Sequence, residues 1–205
     1  MPMKGLTQST ILIGHLGEKR NNPDKFALLV MNTILGGSGA MTSRLGETIR
    51  SSEGKAYMVW SDFGFGRDEG LFRVITQTAA PNTLWVIRKV QEMLKETAES
   101  PRFTKEELER AKKSILRSLV RDYETRFSQV KDLARFRLLD YPSPYLEVFQ
   151  KEINRVDTGD LERVARQYLH PESLSVLAVV PESDMGVLEK ELSSEGGDVE
   201  IRKIP

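Results

Sequence analysis

Apolar residues recur along this chain with two spacings, one typical of strands and one typical of helices. Residues 9–15 (STILIGH) combine β-branched and aliphatic side chains just before Gly17, which predicts a strand. Two later β-rich runs flank the charged, glycine-bounded loop 66–70, which predicts a hairpin. In the second of these runs we interpret Thr76 and Thr78 as lying on a partly solvated face. The predicted strands are residues 9–15, 57–65, 71–78 and 174–180.

Helices are predicted wherever apolar residues fall three and four apart behind a capping signal. Asn22, Pro23 and Asp24 suit a cap, a first helical position and a first-turn acid, and Gly36 ends that helix. Residues 104–107 (TKEE) form a capping box. Further along, Asp157 suits the cap of another helix. The predicted helices are residues 23–35, 42–50, 81–98, 105–119, 126–139, 145–154, 157–168 and 185–192.

The order of these elements predicts the fold class. A strand, two helices, a hairpin, several helices and a strand do not alternate as βαβ units do. We therefore predict an α+β fold, a mainly antiparallel sheet with helices packed on one face. Residues 1–205 are expected to form a single domain, with residues 184–205 as a terminal extension that packs on it and includes an edge strand ending at Ile204.

Composition excludes several classes of function. The chain has 205 residues with 30 basic and 30 acidic side chains, so a nucleic-acid surface with clustered positive charge is not indicated. The longest apolar runs are far shorter than the roughly 20 residues that span a bilayer, so no membrane span is expected. Because cysteine is absent, disulfides and thiolate chemistry are excluded. The compartment stays open between cytoplasm and periplasm, and the chain is expected to be soluble in either.

The residues for a metal site are too few in this chain. A zinc site normally uses three protein ligands, and the only histidines, His15 and His170, lie on different predicted elements. Neither His-Glu-x-x-His nor His-x-x-Glu-His occurs. We therefore predict no metal ligand and no cofactor-binding residue here. We interpret His15 as a structural or surface group, and His170, at the end of a predicted helix, as a helix-terminal cation or polar cap.

Other patterns have simple structural interpretations. The run 36–39 (GGSG) lacks the lysine of a phosphate-binding loop, so we interpret it as a helix end that could also move or admit a backbone closely. The aromatic residues of the later helices are interpreted as packing rather than as a ligand cage. They are Tyr123, Phe127, Phe136, Tyr141 and Tyr145.

Arg50 and Tyr57 remain as candidate site residues. Arg50 lies at the end of a predicted helix and Tyr57 at the start of a predicted strand, where each residue type is common. Composition alone favours that ordinary interpretation. The surrounding sequence changes the picture, because it has the order GGSG, SRL, IR and GKAY over residues 36–57.

These segments resemble the carboxy-terminal, zinc-free domains of pitrilysin/insulinase-type metallopeptidases. The resemblance extends over residues 8–180 and includes later segments at residues 103–112 and 156–171. Lys55 departs from the leucine usual in the family. The resemblance implies an α+β domain of the LuxS/pitrilysin type.

The resemblance also implies half of an active site. In such families one domain binds zinc through His-x-x-Glu-His, and the zinc-free domain supplies an arginine and a tyrosine that hold the peptide substrate. By match to that pattern, those roles fall on Arg50 and Tyr57. Zinc and the general base would come from a partner domain or subunit, and this chain alone would be inactive. Edge strands near the cleft would add the substrate backbone as an extra strand.

Two other functions stay open at this point. The chain could be a non-enzymatic assembly subunit, like the core proteins that this family contributes to respiratory complexes, or a generic α+β binding module. If it is a peptidase half, it is either a fragment or the non-catalytic member of a paired-chain enzyme. The abrupt amino terminus favours the fragment. An isolated half would also expose an interface, which favours a homodimer.

Overall fold

A computed structural model defines the architecture for residues 2–3, 7–37, 41–139, 141 and 144–194. Five strands and seven α-helices are present in these residues, with short 3₁₀ turns and one π-helical segment between them. The strands are β1 (Pro2–Met3), β2 (Gln8–Leu16), β3 (Met58–Gly64), β4 (Leu71–Ala79) and β5 (Ser175–Pro181). The helices are α1 (Lys25–Leu35), α2 (Thr83–Glu99), α3 (Lys105–Asp122), α4 (Arg126–Leu138), α5 (Tyr145–Arg155), α6 (Thr158–Tyr168) and α7 (Met185–Ser194).

The strands form one sheet in the order β1-β5-β2-β4-β3. β2 lies antiparallel to both neighbours, with Leu12 opposite Ile75 of β4 and Leu177 of β5. β3 and β4 form the predicted hairpin, in which Met58 is opposite Gln77. Only the two-residue β1 runs parallel to its neighbour. The predicted α+β class with a mainly antiparallel sheet is therefore confirmed.

The core lies between one face of the sheet and the helices. On that face Ile11, Ile13, Phe72 and Val74 are fully buried. Helices α1 and α2 contact the sheet directly, and α3, α5 and α6 pack against them. The opposite face is more exposed, as Leu177 at 52% exposure illustrates. The predicted arrangement of helices on one face is thus correct.

Two capping predictions have different outcomes. Thr104 accepts a hydrogen bond from the backbone N–H of Glu107 at 3.1 Å, and the Glu107 carboxylate accepts the Thr104 N–H at 2.9 Å, so the predicted box is present. The predicted start of α1 is two residues too early, because the helix begins at Lys25, although the side-chain oxygen of the predicted cap Asn22 accepts the backbone N–H of Asp24 at 2.7 Å. The Asp24 carboxylate instead accepts hydrogen bonds from Arg163 at 2.7 and 2.8 Å and from Tyr168 at 2.8 Å.

Two further expectations need correction. Thr76 and Thr78 are fully buried on the helix-facing side of β4, rather than on a partly solvated face. The helix predicted over residues 42–50 takes the form of a π-helical segment, Gly46–Ser52. The expected edge strand ending at Ile204 lies outside the described residues. The described part of the terminal extension forms α7, where Leu188 is buried and Glu191 pairs with Arg88 of α2 at 3.0 Å.

Candidate functional site

Arg50 projects from the π-helical segment Gly46–Ser52. The segment is anchored from below, because Leu45 and Ile49 are fully buried in the core. It is also tied sideways to α3, since the Arg44 guanidinium donates to both carboxylate oxygens of Glu107 at 2.8 and 2.9 Å. Arg50 itself is exposed. A fixed backbone thus presents a charged side chain to solvent.

The ion pair with Arg44 keeps the Glu107 carboxyl group ionised. Partial burial alone would raise the pKa of this carboxyl, but hydrogen bonds from Arg44 and Thr104 and the positive charge of Arg44 outweigh burial. The net result is a pKa below the usual range. Both the capping box of α3 and the link to the π-helical segment therefore use one ionised group.

Residues 50–57, which we call the site turn, connect the π-helical segment to β3. Gly54 has φ = 59°, a left-handed conformation that favours glycine. The reversal it permits lets the Lys55 N–H donate to the carbonyl of Ile49 at 2.9 Å. Tyr57 then donates its N–H to the carbonyl of Gln77 in β4 at 2.9 Å. Arg50 and Tyr57 are thereby placed at the two ends of one closed turn.

Tyr57 lies immediately before Met58, the first residue of β3. The predicted start of this strand at Tyr57 is therefore correct to within one residue. Its side chain is 58% exposed, which is unusual for a tyrosine beside a buried core. The sequence prediction thus names two exposed side chains that share one turn. A phenol O–H and a guanidinium both donate hydrogen bonds, so the pair can bind carbonyl or carboxylate oxygens.

The first part of the glycine-rich run holds α1 against β3. The Ser61 hydroxyl donates to the Asn32 side-chain oxygen at 2.7 Å, and the Ser61 N–H donates to the Gly36 carbonyl at 3.0 Å. A Cβ on Gly36 would lie 2.7 Å from the Ser61 hydroxyl oxygen, so only glycine fits there. The close approach considered for this run is therefore made by the protein's own strand. Ser38 and Gly39 lie outside the described residues.

This contact bears on the expected strand addition. β3 forms one edge of the sheet, and the backbone groups of Ser61 point away from β4 toward α1. Asn32 donates to the Ser61 carbonyl at 3.3 Å, so the N–H and carbonyl of this residue are both occupied. A peptide therefore cannot pair with the middle of β3 without breaking the contact with α1.

The two histidines lie together, although they are far apart in sequence. Their ring centroids are 5.1 Å apart, and the backbone N–H of His170 donates to Nε2 of His15 at 3.3 Å. His15 is buried, and burial lowers the pKa of its imidazole despite a bond to the Leu16 carbonyl. Among the residues that the structure describes, no three His, Asp or Glu side chains are grouped to hold a metal ion. His15 is thus a structural group, and its predicted surface alternative is wrong.

Three of the predicted packing aromatics form one cluster. The rings of Phe136, Tyr141 and Tyr145 lie 4.4 to 5.8 Å apart, and the Lys25 ammonium lies 4.5 Å from the centre of Tyr141. Tyr123 joins them along the wall of a cavity of about 460 Å³. Phe127 is 80% exposed and lies outside this cluster, so its predicted packing is wrong.

Sequence reasoning missed Thr78, which holds the site turn from inside, and Thr76, which holds the start of β3. Thr78 donates its hydroxyl hydrogen to the Lys55 carbonyl, and Thr76 donates to the Met58 carbonyl at 2.9 Å. The alternation of β4 contained the signal, because Phe72, Val74, Thr76 and Thr78 are all on one face. The hydroxyls suggested solvent, whereas their partners are carbonyls of the neighbouring segment.

The sheet, its one-sided helical layer and an exposed pair of donors define an α+β domain whose described residues form no group of three metal ligands. Residues 1–115 match the model of the peptidase M16 inactive domain. The chain belongs to this family, and its resemblance to the zinc-free half of pitrilysin/insulinase-type peptidases is confirmed. No helix among the described residues is long and apolar enough to cross a membrane.

Relatives and solved structures agree with this assignment. The chain is 28% identical over 182 residues to the uncharacterized zinc protease YmxG of Bacillus subtilis, covering 89% of this chain and 44% of YmxG. It thus spans less than half the length of that relative. A crystal structure of a peptidase M16 inactive domain from Pseudomonas fluorescens matches with a TM-score of 0.78 and 24% identity, over 88% of this chain and 42% of that one. A chain of Complex III₂ from Candida albicans matches with a TM-score of 0.73 and 16% identity, over 90% and 46%.

Proposed function

We propose that this chain is the substrate-binding, zinc-free half of a zinc metalloendopeptidase. In this role Arg50 binds carbonyl groups of the peptide, and Tyr57 donates to the oxygen that becomes negative as the peptide bond is attacked. The observation that supports the proposal best is the exposure of both side chains on a turn whose backbone is fixed by hydrogen bonds to Ile49 and Gln77.

The chemistry requires donors that are placed before the reaction. Hydrolysis of a peptide builds negative charge on the carbonyl oxygen, and preorganised donors lower that barrier. Neither an arginine nor a tyrosine in these positions activates water. In the partner half, a bound zinc ion would supply a Lewis acid and an activated water. Substrate would therefore react only between the two halves.

The exposure of Arg50 and Tyr57 on the isolated chain fits an active site that is divided between two halves. Donors in bulk water exchange one hydrogen-bond partner for another with little net gain. The same donors are far more effective once a facing surface excludes water. Relatives named zinc proteases are more than twice as long as the matched region, since it is 44% of YmxG, so their remaining length has room for a zinc-bearing half.

The likeness to a chain of Complex III₂, at 16% identity, concerns the fold alone and leaves the rival role of an assembly subunit to be tested. Reconstitution separates the two roles. The chain is mixed with its zinc-bearing partner half, and cleavage of a short unstructured fluorogenic peptide is followed. We expect Tyr57→Phe to lower kcat about 100-fold, the usual effect of removing one oxyanion donor. Arg50→Ala should lower kcat/KM mainly through a higher KM, because Arg50 binds carbonyl groups of the substrate.

Arg67→Ala is the matched control, because Arg67 is an exposed arginine at the opposite end of β3. It should retain full activity. Zinc-dependent cleavage by this chain alone would refute the assignment of the metal site to a partner. An active mixture that tolerates both site substitutions would refute the roles of Arg50 and Tyr57.

A further inference from the structure

The helix-facing side of β4 changes character along its length. Phe72 and Val74 at one end are apolar, whereas Thr76 and Thr78 at the other end carry hydroxyls, and all four are nearly or fully buried. A buried hydroxyl destabilises a fold unless it finds a hydrogen-bond partner. Both threonines find one in a backbone carbonyl of the neighbouring segment.

Thr76 and Thr78 donate hydrogen bonds to carbonyl groups in two different parts of the chain. Thr76 donates to the carbonyl of Met58, a residue that already pairs with Gln77 in the β3–β4 ladder. Its bond is therefore duplicated by the sheet. Thr78 donates to the carbonyl of Lys55, which lies outside the strand and inside the site turn.

The residue before Lys55, Gly54, is the conformationally freest position of the site turn. Gly54 has φ = 59°, and a Cβ placed on it would meet nothing within 4 Å. Packing therefore does not restrain this residue. The Lys55 N–H bond to Ile49 fixes one side of the peptide chain, and the Thr78 hydroxyl fixes the carbonyl side. Without that hydroxyl, the Lys55 carbonyl could turn about the Lys55 Cα–C bond, and the stretch from Lys55 to Tyr57 would be held on this side only by the Tyr57 N–H bond to Gln77.

We infer that Thr78 is a positioning residue, which sets the placement of Tyr57 relative to Arg50 by holding the Lys55 carbonyl. This inference rests on the proposed function for its catalytic consequence, but not for its structural one. Thr78 does not touch substrate, since it is fully buried in the core. Its effect on peptide cleavage is transmitted through the site turn.

The activity test uses the reconstituted enzyme and three variants. Thr78→Val keeps the shape of the side chain but removes the donor, and we expect it to lower kcat/KM at least about tenfold, because displacements near 1 Å can cost about 100-fold. Thr78→Ser restores the donor and should restore most of the activity. Thr76→Val is the matched control, equally buried on the same strand, and should change kcat/KM less than about twofold because the ladder duplicates its bond.

A double-mutant cycle shows whether Thr78 acts through Tyr57. In a Tyr57→Phe background, Thr78→Val should cost less than about twofold, since coupled residues are not additive. Equal losses in both backgrounds, or losses from Thr76→Val as large as those from Thr78→Val, would overturn the inference. Unfolding midpoints of the two valine variants show whether they are equally folded.

Amide hydrogen exchange tests the structural part without activity. We expect Thr78→Val to speed exchange of the Lys55 N–H about tenfold or more, and Thr76→Val to leave it unchanged, since exchange follows local opening. Unchanged protection of Lys55 in Thr78→Val would refute the inference. Faster exchange of Lys55 together with no effect of Tyr57→Phe on cleavage would keep the positioning of the turn and refute the proposed function instead.

Discussion

The site turn and helix α4 are both at the surface, yet they are held in opposite ways. The site turn rests on the buried Leu45 and Ile49 and is fixed by hydrogen bonds to β4. Helix α4 has no buried residue in any of its thirteen positions, although Phe127, Leu133 and Leu138 are 80%, 65% and 80% exposed. Exposed side chains therefore have a different meaning in each region. In the site turn, exposed side chains are attached to a backbone that buried residues fix in place. In helix α4, apolar side chains are exposed because the helix buries no residue in its own domain.

The difference concerns which part of the molecule stabilises each region. The backbone of the site turn is determined by contacts inside this chain, so its geometry should persist in the isolated half. Helix α4 has a capped start, where the Thr125 hydroxyl accepts the Ser128 N–H at 3.1 Å, but an apolar surface that its own domain does not cover. Apolar surface of this kind is typical of interaction sites. Substitutions should thus separate the two regions by their effects on stability.

The largest effect is expected at the base of the site turn. Ile49→Ala removes a fully buried side chain directly below Arg50, and we expect the free energy of unfolding to fall by about 3 kcal/mol. Leu133→Ala on α4 deletes a side chain of the same size and should cost less than about 0.5 kcal/mol. Urea denaturation of both variants measures the contrast. Equal losses would show that α4 is packed as firmly as the site turn.

A smaller effect is expected where the π-helical segment is tied to α3. Glu107→Gln removes the charge that Arg44 binds while an amide oxygen can still accept the Thr104 N–H. We expect a loss of about 1–2 kcal/mol at pH 7, typical of hydrogen bonds to charged groups. Glu106→Gln, an exposed neighbour, is the control and should stay within about 0.5 kcal/mol.

The Glu107 loss should depend on pH in a defined direction. The pKa of Glu107 is lower in the folded chain than in the unfolded chain, so its contribution is present above the unfolded pKa of about 4.3 and is lost as pH falls through the folded value. The difference in stability between wild type and Glu107→Gln should therefore shrink as pH falls below about 4.3. A gap that stays constant from pH 7 to pH 3 would contradict the ionic origin of the bond.

His15 gives a second pH-dependent contribution, far from the site turn. Because burial lowers its pKa, the neutral imidazole stabilises the fold above the unfolded pKa of about 6.5, and this contribution is lost as pH falls through the folded pKa. The stability of wild type relative to His15→Gln should therefore be greater at pH 7.5 than at pH 5. An unchanged difference across this range would show that His15 does not titrate in this way.

Local patterns in the sequence predicted the fold well. The box at Thr104 and Glu107 joins residues three apart, and the hairpin of β3 and β4 joins neighbouring strands, so each could be inferred from a short window. The role of Asp24 was not predicted, because its partner Arg163 lies 139 residues later in the chain. No pattern near Asn22 could reveal that partner.

The candidate site shows the same difference between features that a short stretch of sequence predicts and contacts between distant residues. Arg50 and Tyr57 were selected by the order of short segments around them, which a single sequence contains. The contacts that hold them join Thr78 to Lys55 and Ser61 to Asn32, which are 23 and 29 residues apart. Buried hydroxyls look like solvated ones in a sequence, because the carbonyl that satisfies each one is on another element. Distant polar pairing therefore limits what could be predicted here.

The smallest effect on stability, and the sharpest test of the comparison, is expected on α4. Phe127→Ser removes an aromatic ring that is 80% exposed, so the free energy of unfolding should change by less than about 0.5 kcal/mol. If that ring lies in an interface, the same change should weaken self-association of the isolated chain, which sedimentation at increasing concentration measures. Lys131→Ser, at an exposed polar position of the same helix, is the control for loss of helix propensity. A stability loss above about 1 kcal/mol in Phe127→Ser, but not in Lys131→Ser, would show that α4 is stabilised by its own domain and would remove the contrast with the site turn.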